Sequence, residues 1–165
     1  MVAGTITWKE SVSVIGGSSC SDDVRQAAEE VGYLLAQAGK TVICGGLGGV
    51  MEAVCKGARR GGGLTIGVLP GSRLDDANPY VDIPIATAMD DARNLIVVLS
   101  SRVVVAIDGK LGTLSEIALA LNNNREVVAL GTPELDPKWL SGKGEFHRAE
   151  SPAEAVEKAL ELAGK

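Results

Sequence analysis

Short runs of apolar, mostly β-branched residues without polar alternation constrain the fold of this chain more than any other feature. The clearest run is Arg102–Ile107 (RVVVAI), and Lys40–Cys44 (KTVIC) and Leu64–Leu69 (LTIGVL) are of the same kind. A strand with one solvent-exposed face alternates polar and apolar side chains, so these runs predict strands that are buried on both faces. Such burial is typical of a parallel sheet that carries helices on either side.

Segments with helical spacing separate these strands. Ser21–Ala38 predicts a helix that Ser21 caps and Gly39 ends, and a last helix from Ser151 to about Ala163 begins with a capping box between Ser151 and Glu154. We expect further strands at Ser11–Gly17, Val81–Ala86, Glu126–Leu130 and Gly144–Arg148, and further helices at Gly49–Arg60, Asp90–Ser100 and Gly112–Leu121. This order predicts a single Rossmann-like α/β domain over residues 1–165, with a doubly wound parallel sheet flanked by helices on both faces.

Composition and charge exclude several classes of protein. Glycine accounts for 21 of the 165 residues and aromatic residues for only 3%, so we expect an aliphatic core with close backbone contacts. The net charge of −5 and the lack of a long Lys/Arg run argue against nucleic-acid binding. No apolar run reaches the roughly 20 residues that span a bilayer, and the first residues, MVAGTITWKES, lack the basic start of a secretion signal. We therefore predict a cytoplasmic protein with no membrane partner.

The cysteines and the histidine do not form a metal-binding pattern. Cys20, Cys44 and Cys55 show no CxxC spacing, and His147 is the only histidine. We predict no metal site and reduced thiols, with Cys44 closing a buried strand and Cys55 lying in a helix.

Glycine clusters follow three of the predicted strands, and each stands directly before a helix. They are Ile15–Ser18 (IGGS), Cys44–Met51 (CGGLGGVM) and Asp108–Thr113 (DGKLGT). In an open parallel sheet, ligands bind beyond the carboxyl ends of the strands, where helix N-termini favour anions. Glycine at these junctions would also serve simply to turn the chain, so a structural role stays open for each cluster. In the second cluster, we expect the last glycine pair to open a helix whose N–H groups contact the ligand.

Two known nucleotide motifs are absent. The first junction does not match G-x-G-x-x-G, and no Walker A sequence occurs. Their absence argues against an NAD-binding protein and against an ATP-driven motor. Arg93 is a candidate anion clamp, with a surface pair to Asp90 or Asp91 as the alternative. Glu116, one turn after Gly112-Thr113, is a candidate acid/base group or ligand contact, or only a favourable first-turn residue. Lys110 is either a second anion contact or a solvated loop residue.

From about Ser11 to Leu130, the sequence resembles the superfamily long labelled lysine decarboxylase, which includes the Lonely Guy proteins. The residues that carry the resemblance are GGLGGVMEA at 45–53, GGLTIGVLP at 62–70, Arg93 and GKLGTLSE at 109–116. No pyridoxal-binding lysine signature accompanies them, so the decarboxylase label does not describe the expected activity. Lonely Guy enzymes release the base from cytokinin riboside monophosphates. The resemblance to them implies catalytic roles for Arg93 and Glu116 if the chain is such a hydrolase.

A second branch, the molybdenum cofactor carrier proteins, matches the departures from the enzyme pattern. The chain has Met89-Asp90-Asp91-Ala92-Arg93-Asn94 in place of the enzymes' Met-His-Glu-Arg-Lys segment, and Ile107-Asp108-Gly109-Lys110 in place of their Leu-Pro-Gly-Gly. Ala92-Arg93-Asn94 followed by Leu99-Ser100-Ser101 resembles the carrier branch. That similarity implies binding of molybdopterin cofactor, a pterin with a phosphate tail, by a homodimer or homotetramer without turnover. Molybdoenzymes are then the implied partner proteins.

The resulting hypothesis is a carrier that binds a phosphate-bearing small molecule, most simply the molybdenum cofactor. The alternatives are a nucleoside 5′-monophosphate N-ribohydrolase and a nucleotide-sensing domain, each with a nucleoside monophosphate as ligand. The candidate binding residues are Gly16, Gly17, Ser18, Gly45, Gly46, Leu47, Gly48, Gly49, Val50, Met51, Arg93, Asn94, Gly109, Lys110, Leu111, Gly112, Thr113 and Glu116.

Overall fold

The computed structural model describes residues 10–133, 135–136, 138, 140 and 142–164. Within them, seven strands form one parallel sheet in the order β4-β3-β2-β1-β5-β6-β7. The strands are β1 (Ser11–Gly16), β2 (Thr41–Cys44), β3 (Thr65–Leu69), β4 (Ile83–Ala86), β5 (Val103–Ile107), β6 (Glu126–Leu130) and β7 (Phe146–Ala149). The doubly wound parallel sheet predicted from the sequence is confirmed. The first and last residues of each strand lie within two residues of their predicted positions.

In the same described residues, five α-helices cover the two faces of the sheet. They are α1 (Asp22–Gln37), α2 (Val50–Arg60), α3 (Asn94–Leu99), α4 (Leu111–Asn122) and α5 (Pro152–Ala163). Val12 and Val14 of β1 pack with α1, α2 and α5, whereas Ile15 packs on the opposite face with α3 and α4. The strands are therefore buried on both sides, as their uniformly apolar sequences predict. In the described part of the chain, no helix is both long and apolar enough to cross a membrane.

The helix expected over Asp90–Ser100 begins differently from the prediction. Asp90–Arg93 forms a 3₁₀ turn, and the α-helix starts only at Asn94. The amide of Asp90, which has a φ of 46°, donates to the carbonyl of Pro70 at 3.0 Å. This bond ties the start of the segment to the loop after β3, so the chain enters the helix through a tighter turn.

Both predicted helix caps are present. The Oγ of Ser21 accepts from the amide of Val24 at 3.4 Å, and the Oγ of Ser151 accepts from the amide of Glu154 at 3.2 Å. The Glu154 carboxylate accepts from the amide of Glu150 at 2.8 Å, one residue before the position that a capping box uses. Each cap satisfies an amide that the helix itself leaves unpaired.

Helices α1 and α2 cross at a contact made by two glycines. A Cβ on Gly57 would collide with the backbone of Glu29, whose carbonyl carbon would lie 2.7 Å away, and a Cβ on Gly32 would collide with the carbonyl of Val54. Backbone cannot move aside as a flexible side chain can, so the helices would have to separate. The contact fixes α2, and with it the loop that leads into α2 from β2.

Replacing Gly57 by Ala is expected to lower the free energy of unfolding by on the order of 2 kcal/mol, because the added methyl overpacks this crossing. Urea denaturation followed by circular dichroism measures the change. Gly112→Ala in α4 is the matched control, since a Cβ there meets nothing within 4 Å. A Gly57→Ala protein as stable as the control variant would show that the two helices are not held this closely.

Candidate functional site

A cavity of about 340 Å³ opens at the carboxyl ends of β1 and β5. These two strands are neighbours in the sheet, and the strand order continues from β1 to β4 on one side and from β5 to β7 on the other. This is the topological switch point, where open α/β sheets bind ligands. The structure brings all three glycine junctions to the cavity. The predicted residues that line it are Gly16, Gly17, Ser18, Gly45, Leu47, Met51, Arg93, Asn94, Gly109, Lys110, Gly112, Thr113 and Glu116.

Four of the predicted residues at the second junction do not line the cavity: Gly46, Gly48, Gly49 and Val50. The amide of Val50, which begins α2, donates to the carbonyl of Gly17 at 3.0 Å, so it is not available to a ligand. Gly49 has a φ of 64°, and a Cβ there would collide with the Gly17 carbonyl. The expectation that this glycine pair presents helix N–H groups to the ligand is therefore wrong at Val50. The pair lets the β1–α1 and β2–α2 loops cross in contact.

Leu111 also lies outside the main cavity. Its side chain is 82% exposed and lines an adjoining apolar cavity together with Leu114, Ile117 and Pro133. The two cavities share the loop between β5 and α4, from Asp108 to Lys110.

Six cavity residues were not predicted as site residues: Val14, Ile15, Ser19, Pro70, Asp91 and Asp108. Asp91 was predicted only as an alternative surface partner of Arg93, and no ion pair joins Arg93 to Asp90 or Asp91 among the described residues. Asp108 directly follows β5 and precedes a glycine, a signal that could have marked it. Its φ of 49° is held by the hydrogen bond from its amide to the carbonyl of Leu130 at 2.8 Å.

Arg93 is a buried cation that makes no ion pair with any residue the structure describes. The residue is only 7% exposed, and its Nε has no hydrogen-bond partner in the described part of the chain. Burial lowers the pKa of Arg93, while the nearby Glu116 charge opposes that effect. A Cβ on Gly45 would collide with the guanidinium and would lie 2.7 Å from the Sδ of Met51, so only glycine leaves room for Arg93 there. An unpartnered buried guanidinium is a strong site for an anion.

Glu116 is a buried carboxyl at the same site. It is 8% exposed on α4, and burial raises its pKa to about 7, an effect that Arg93 opposes and Asp91 reinforces. The carboxyl is therefore close to half-protonated at neutral pH. In that state it can either donate or accept a hydrogen bond within the cavity.

The N-terminus of α4 faces the cavity without a side-chain cap. Lys110 occupies the N-cap position and supplies no capping bond, unlike Ser21 and Ser151 at the starts of α1 and α5. Gly112 and Thr113, in the first turn of α4, line the cavity. First-turn amides and the positive end of the helix dipole therefore stand beside Arg93, an arrangement that suits phosphate.

The three thiols and the histidine are not among the residues that line the cavity. Cys44 ends β2 and Cys55 lies in α2, as predicted, and their Sγ atoms are 3.5 Å apart in the core. Hydrogen bonding to Cys44 and burial raise the pKa of Cys55, which keeps that thiol neutral. His147 lies on β7, where its Nε2 is 3.2 Å from a Glu126 carboxylate oxygen.

Known proteins with similar sequences and folds cover nearly the whole chain. A relative from Archaeoglobus fulgidus, an uncharacterized protein, is 43% identical over 145 residues, which are 88% of this chain and 91% of the relative. The molybdenum cofactor binding protein from Rippkaea orientalis is 38% identical with a TM-score of 0.77, over 90% of this chain and 92% of that one. The Moco carrier protein from Chlamydomonas reinhardtii is 38% identical with a TM-score of 0.85, over 93% and 97%.

The family comparison reaches the same part of the chain. The model of the SLOG cluster4 family matches residues 9–157, which include every element that frames the cavity. The superfamily that the glycine-rich segments resemble is confirmed by this match and by the cofactor carriers among the structural neighbours. This chain belongs to the SLOG cluster4 family.

Proposed function

We propose that the chain is a carrier that binds the molybdenum cofactor in the cavity between β1 and β5. The observation that carries the proposal is Arg93, a buried cation with an unpartnered Nε beside the uncapped start of α4. Structural neighbours that bind or carry this cofactor support the same ligand.

The phosphate tail of the cofactor is assigned to Arg93 and the first turn of α4. A guanidinium can give a phosphate two parallel hydrogen bonds, and the amides of an uncapped helix start add further donors. Lys110, which lines the cavity at the same turn, adds a second positive charge. This grouping gives the anion more donors than either a lone arginine or a lone helix terminus would.

The pterin ring is assigned to the carboxylates of the same cavity. Asp91, Asp108 and Glu116 line it, although the cavity also has to hold an anion. Carboxylates there would be unfavourable for a ligand that is only a phosphate. They suit a ligand that also has N–H donors, as the amino and ring N–H groups of a pterin are. The mixture of cations and carboxylates therefore fits an anion joined to an amino-bearing heterocycle.

Purification from two hosts tests the proposal directly. The chain is expressed in a host that makes the cofactor and in an otherwise identical host blocked in its synthesis, and bound molybdenum and pterin fluorescence are measured. We expect both signals, near one per binding site, from the first host alone. Absence of both, together with no binding on titration with released cofactor, would contradict the proposal.

A nucleotide panel separates the carrier from a hydrolase. The same protein is incubated with AMP and other nucleoside monophosphates, and free base is measured by chromatography. A carrier releases none. Base release that Glu116→Ala abolishes would assign the N-ribohydrolase activity instead.

We also propose that the chain assembles with copies of itself through the face covered by α3 and α4. Among the described residues, α3 and α4 are the two α-helices on this face, and apolar side chains on α3 and on the edge strand β4 are left exposed: Ile83, Ile85, Leu95, Ile96 and Leu99. Ile85 pairs in register with Val68, a core residue of this face, so both elements contribute to one surface. Sedimentation equilibrium is expected to give a dimer or tetramer, and a monomer at all concentrations would contradict it.

A further inference from the structure

A second cavity, of about 370 Å³, lies at the opposite end of the sheet from the proposed cofactor site. It is lined by the segment from Leu99 to Arg102, which leads into β5, and by Asn124 and Arg125, which lead into β6. Because β5 and β6 are neighbours that pair Val103 with Glu126, the arginines directly before them are brought side by side. The length of β5 separates the two cavities by about 17 Å, at about 3.3 Å per residue.

The two arginines bring positive charge that the described residues do not neutralise. The side chain of Arg102 makes no hydrogen bond or ion pair with the described residues, and the Nε atoms of Arg102 and Arg125 are buried without a partner among them. The terminal nitrogens of Arg125 donate to the carbonyls of Asn123 and Leu99, each at 3.3 Å, which leaves its charge without a counter-ion. The neighbouring carboxylate, Glu126, is paired with His147.

The other polar groups around the cavity show what it can recognise. Ser100 and Ser101 already donate their hydroxyl protons within the protein, so they are not free donors. Asn124 has a φ of 57° and an exposed side chain without a hydrogen-bond partner among the described residues. The donors that remain are therefore the guanidinium of Arg102, the second N–H groups on the terminal nitrogens of Arg125 and the amide of Asn124, and no carboxylate is among the lining residues.

We propose that this cavity is a second anion site, which binds a tetrahedral oxyanion as free phosphate or as a phosphate monoester. A guanidinium can donate two parallel hydrogen bonds to two oxygens of a tetrahedral anion. Two guanidinium groups beside one cavity therefore provide both charge and donors. The lack of carboxylates distinguishes it from the cofactor cavity, which also accepts hydrogen bonds. The second site therefore recognises the anion itself and not an attached amino-bearing ring.

The proposal is tested by titrating the full chain with inorganic phosphate and, in parallel, with AMP, while backbone amide NMR shifts are recorded at each end of the sheet. We expect saturable shifts at Arg102, Asn124 and Arg125, separate from any at 109–113. Arg102→Gln is expected to weaken this binding at least tenfold, and the double variant with Arg125→Gln to abolish it. Tighter binding of AMP than of phosphate would assign a monoester, and equal or weaker binding of AMP would assign the free anion.

Two control variants keep the sites and the fold apart. Arg25→Gln removes the same charge from an exposed position on α1 and should leave the titration unchanged, and Arg93→Gln should abolish only the shifts at the cofactor cavity. Since the side chain of Arg102 makes no hydrogen bond or ion pair with the described residues, its variant stays informative even if loss of Arg125 destabilises the chain. Wild-type shifts confined to the cofactor cavity, or unchanged affinity in Arg102→Gln, would overturn the proposal. Neither result would affect the cofactor site.

Discussion

Replacing Arg93 by Gln is expected to weaken binding of the cofactor or of phosphate at the main cavity by on the order of 100-fold, because a buried charged donor is lost. Arg93 lines the cavity and is buried from solvent, so its interaction with an anion is weakly screened. Titration calorimetry with released cofactor, and with inorganic phosphate as the simpler probe, measures the change.

The same substitution is expected to leave the free protein as stable as the wild type, or more stable. Without a ligand, Arg93 is a buried cation with an unpartnered Nε, which is unfavourable for folding. Loss of binding together with retained stability would identify Arg93 as a functional residue whose burial costs folding energy.

Two further variants sharpen this test. Arg93→Lys keeps the positive charge but cannot give two parallel hydrogen bonds, so we expect it to bind with an affinity between those of the wild type and Arg93→Gln. Arg73→Gln removes a charge from an exposed loop residue and should bind as the wild type does. Arg93→Gln binding phosphate with wild-type affinity at the residues of the main cavity would contradict the assignment.

The fold was predictable because the strand sequences themselves indicate burial on both faces. Runs such as Val103–Ile107 have no polar position that could face water, which fixes a sheet covered on both faces. The start of the segment at Asp90 was not predictable, because its 3₁₀ turn depends on a hydrogen bond to Pro70, 20 residues earlier in the chain. Local sequence periodicity contains no information about such a contact.

The site was predictable in position but not in detail. Glycines at three strand ends, with Arg93 and Glu116, are enough to place a cavity at one edge of the sheet. The role of Gly49 depends on the β1–α1 loop crossing it, which only the folded chain shows. The same holds for Arg102 and Arg125, which are far apart in sequence and meet only because β5 pairs with β6.

Glu116→Gln is expected to stabilise the free protein by about 3 kcal/mol at pH 8 and to have little effect near pH 4. The pKa of Glu116 in the folded chain is raised to about 7, whereas an exposed glutamate has a pKa near 4.5. Between these values the folded chain retains a proton that the unfolded chain releases, so the free energy of unfolding falls as the pH rises through this range. Gln is neutral over the whole pH range, so the Glu116→Gln protein does not lose this part of its free energy of unfolding.

Urea denaturation at pH 4, 5, 6, 7 and 8, at one protein concentration, measures the difference between the two proteins. The advantage of Glu116→Gln should grow from about pH 4.5 and level off above pH 7. Glu157→Gln, on the exposed face of α5, makes the same chemical change and should give a difference that does not grow over this range. A constant difference for Glu116→Gln as well would show that the carboxyl is ionised in the folded protein at pH 5.

The same experiment links Glu116 to Arg93. Because the charge of Arg93 lowers the pKa of Glu116, removing that charge should raise the pKa further. In an Arg93→Gln background, the stabilisation by Glu116→Gln should therefore be larger and should level off at a higher pH. A bound phosphate should act in the same direction, since it neutralises the guanidinium and adds negative charge near the carboxyl. If neither Arg93→Gln nor phosphate shifts the pH profile, the two side chains do not share one anion site.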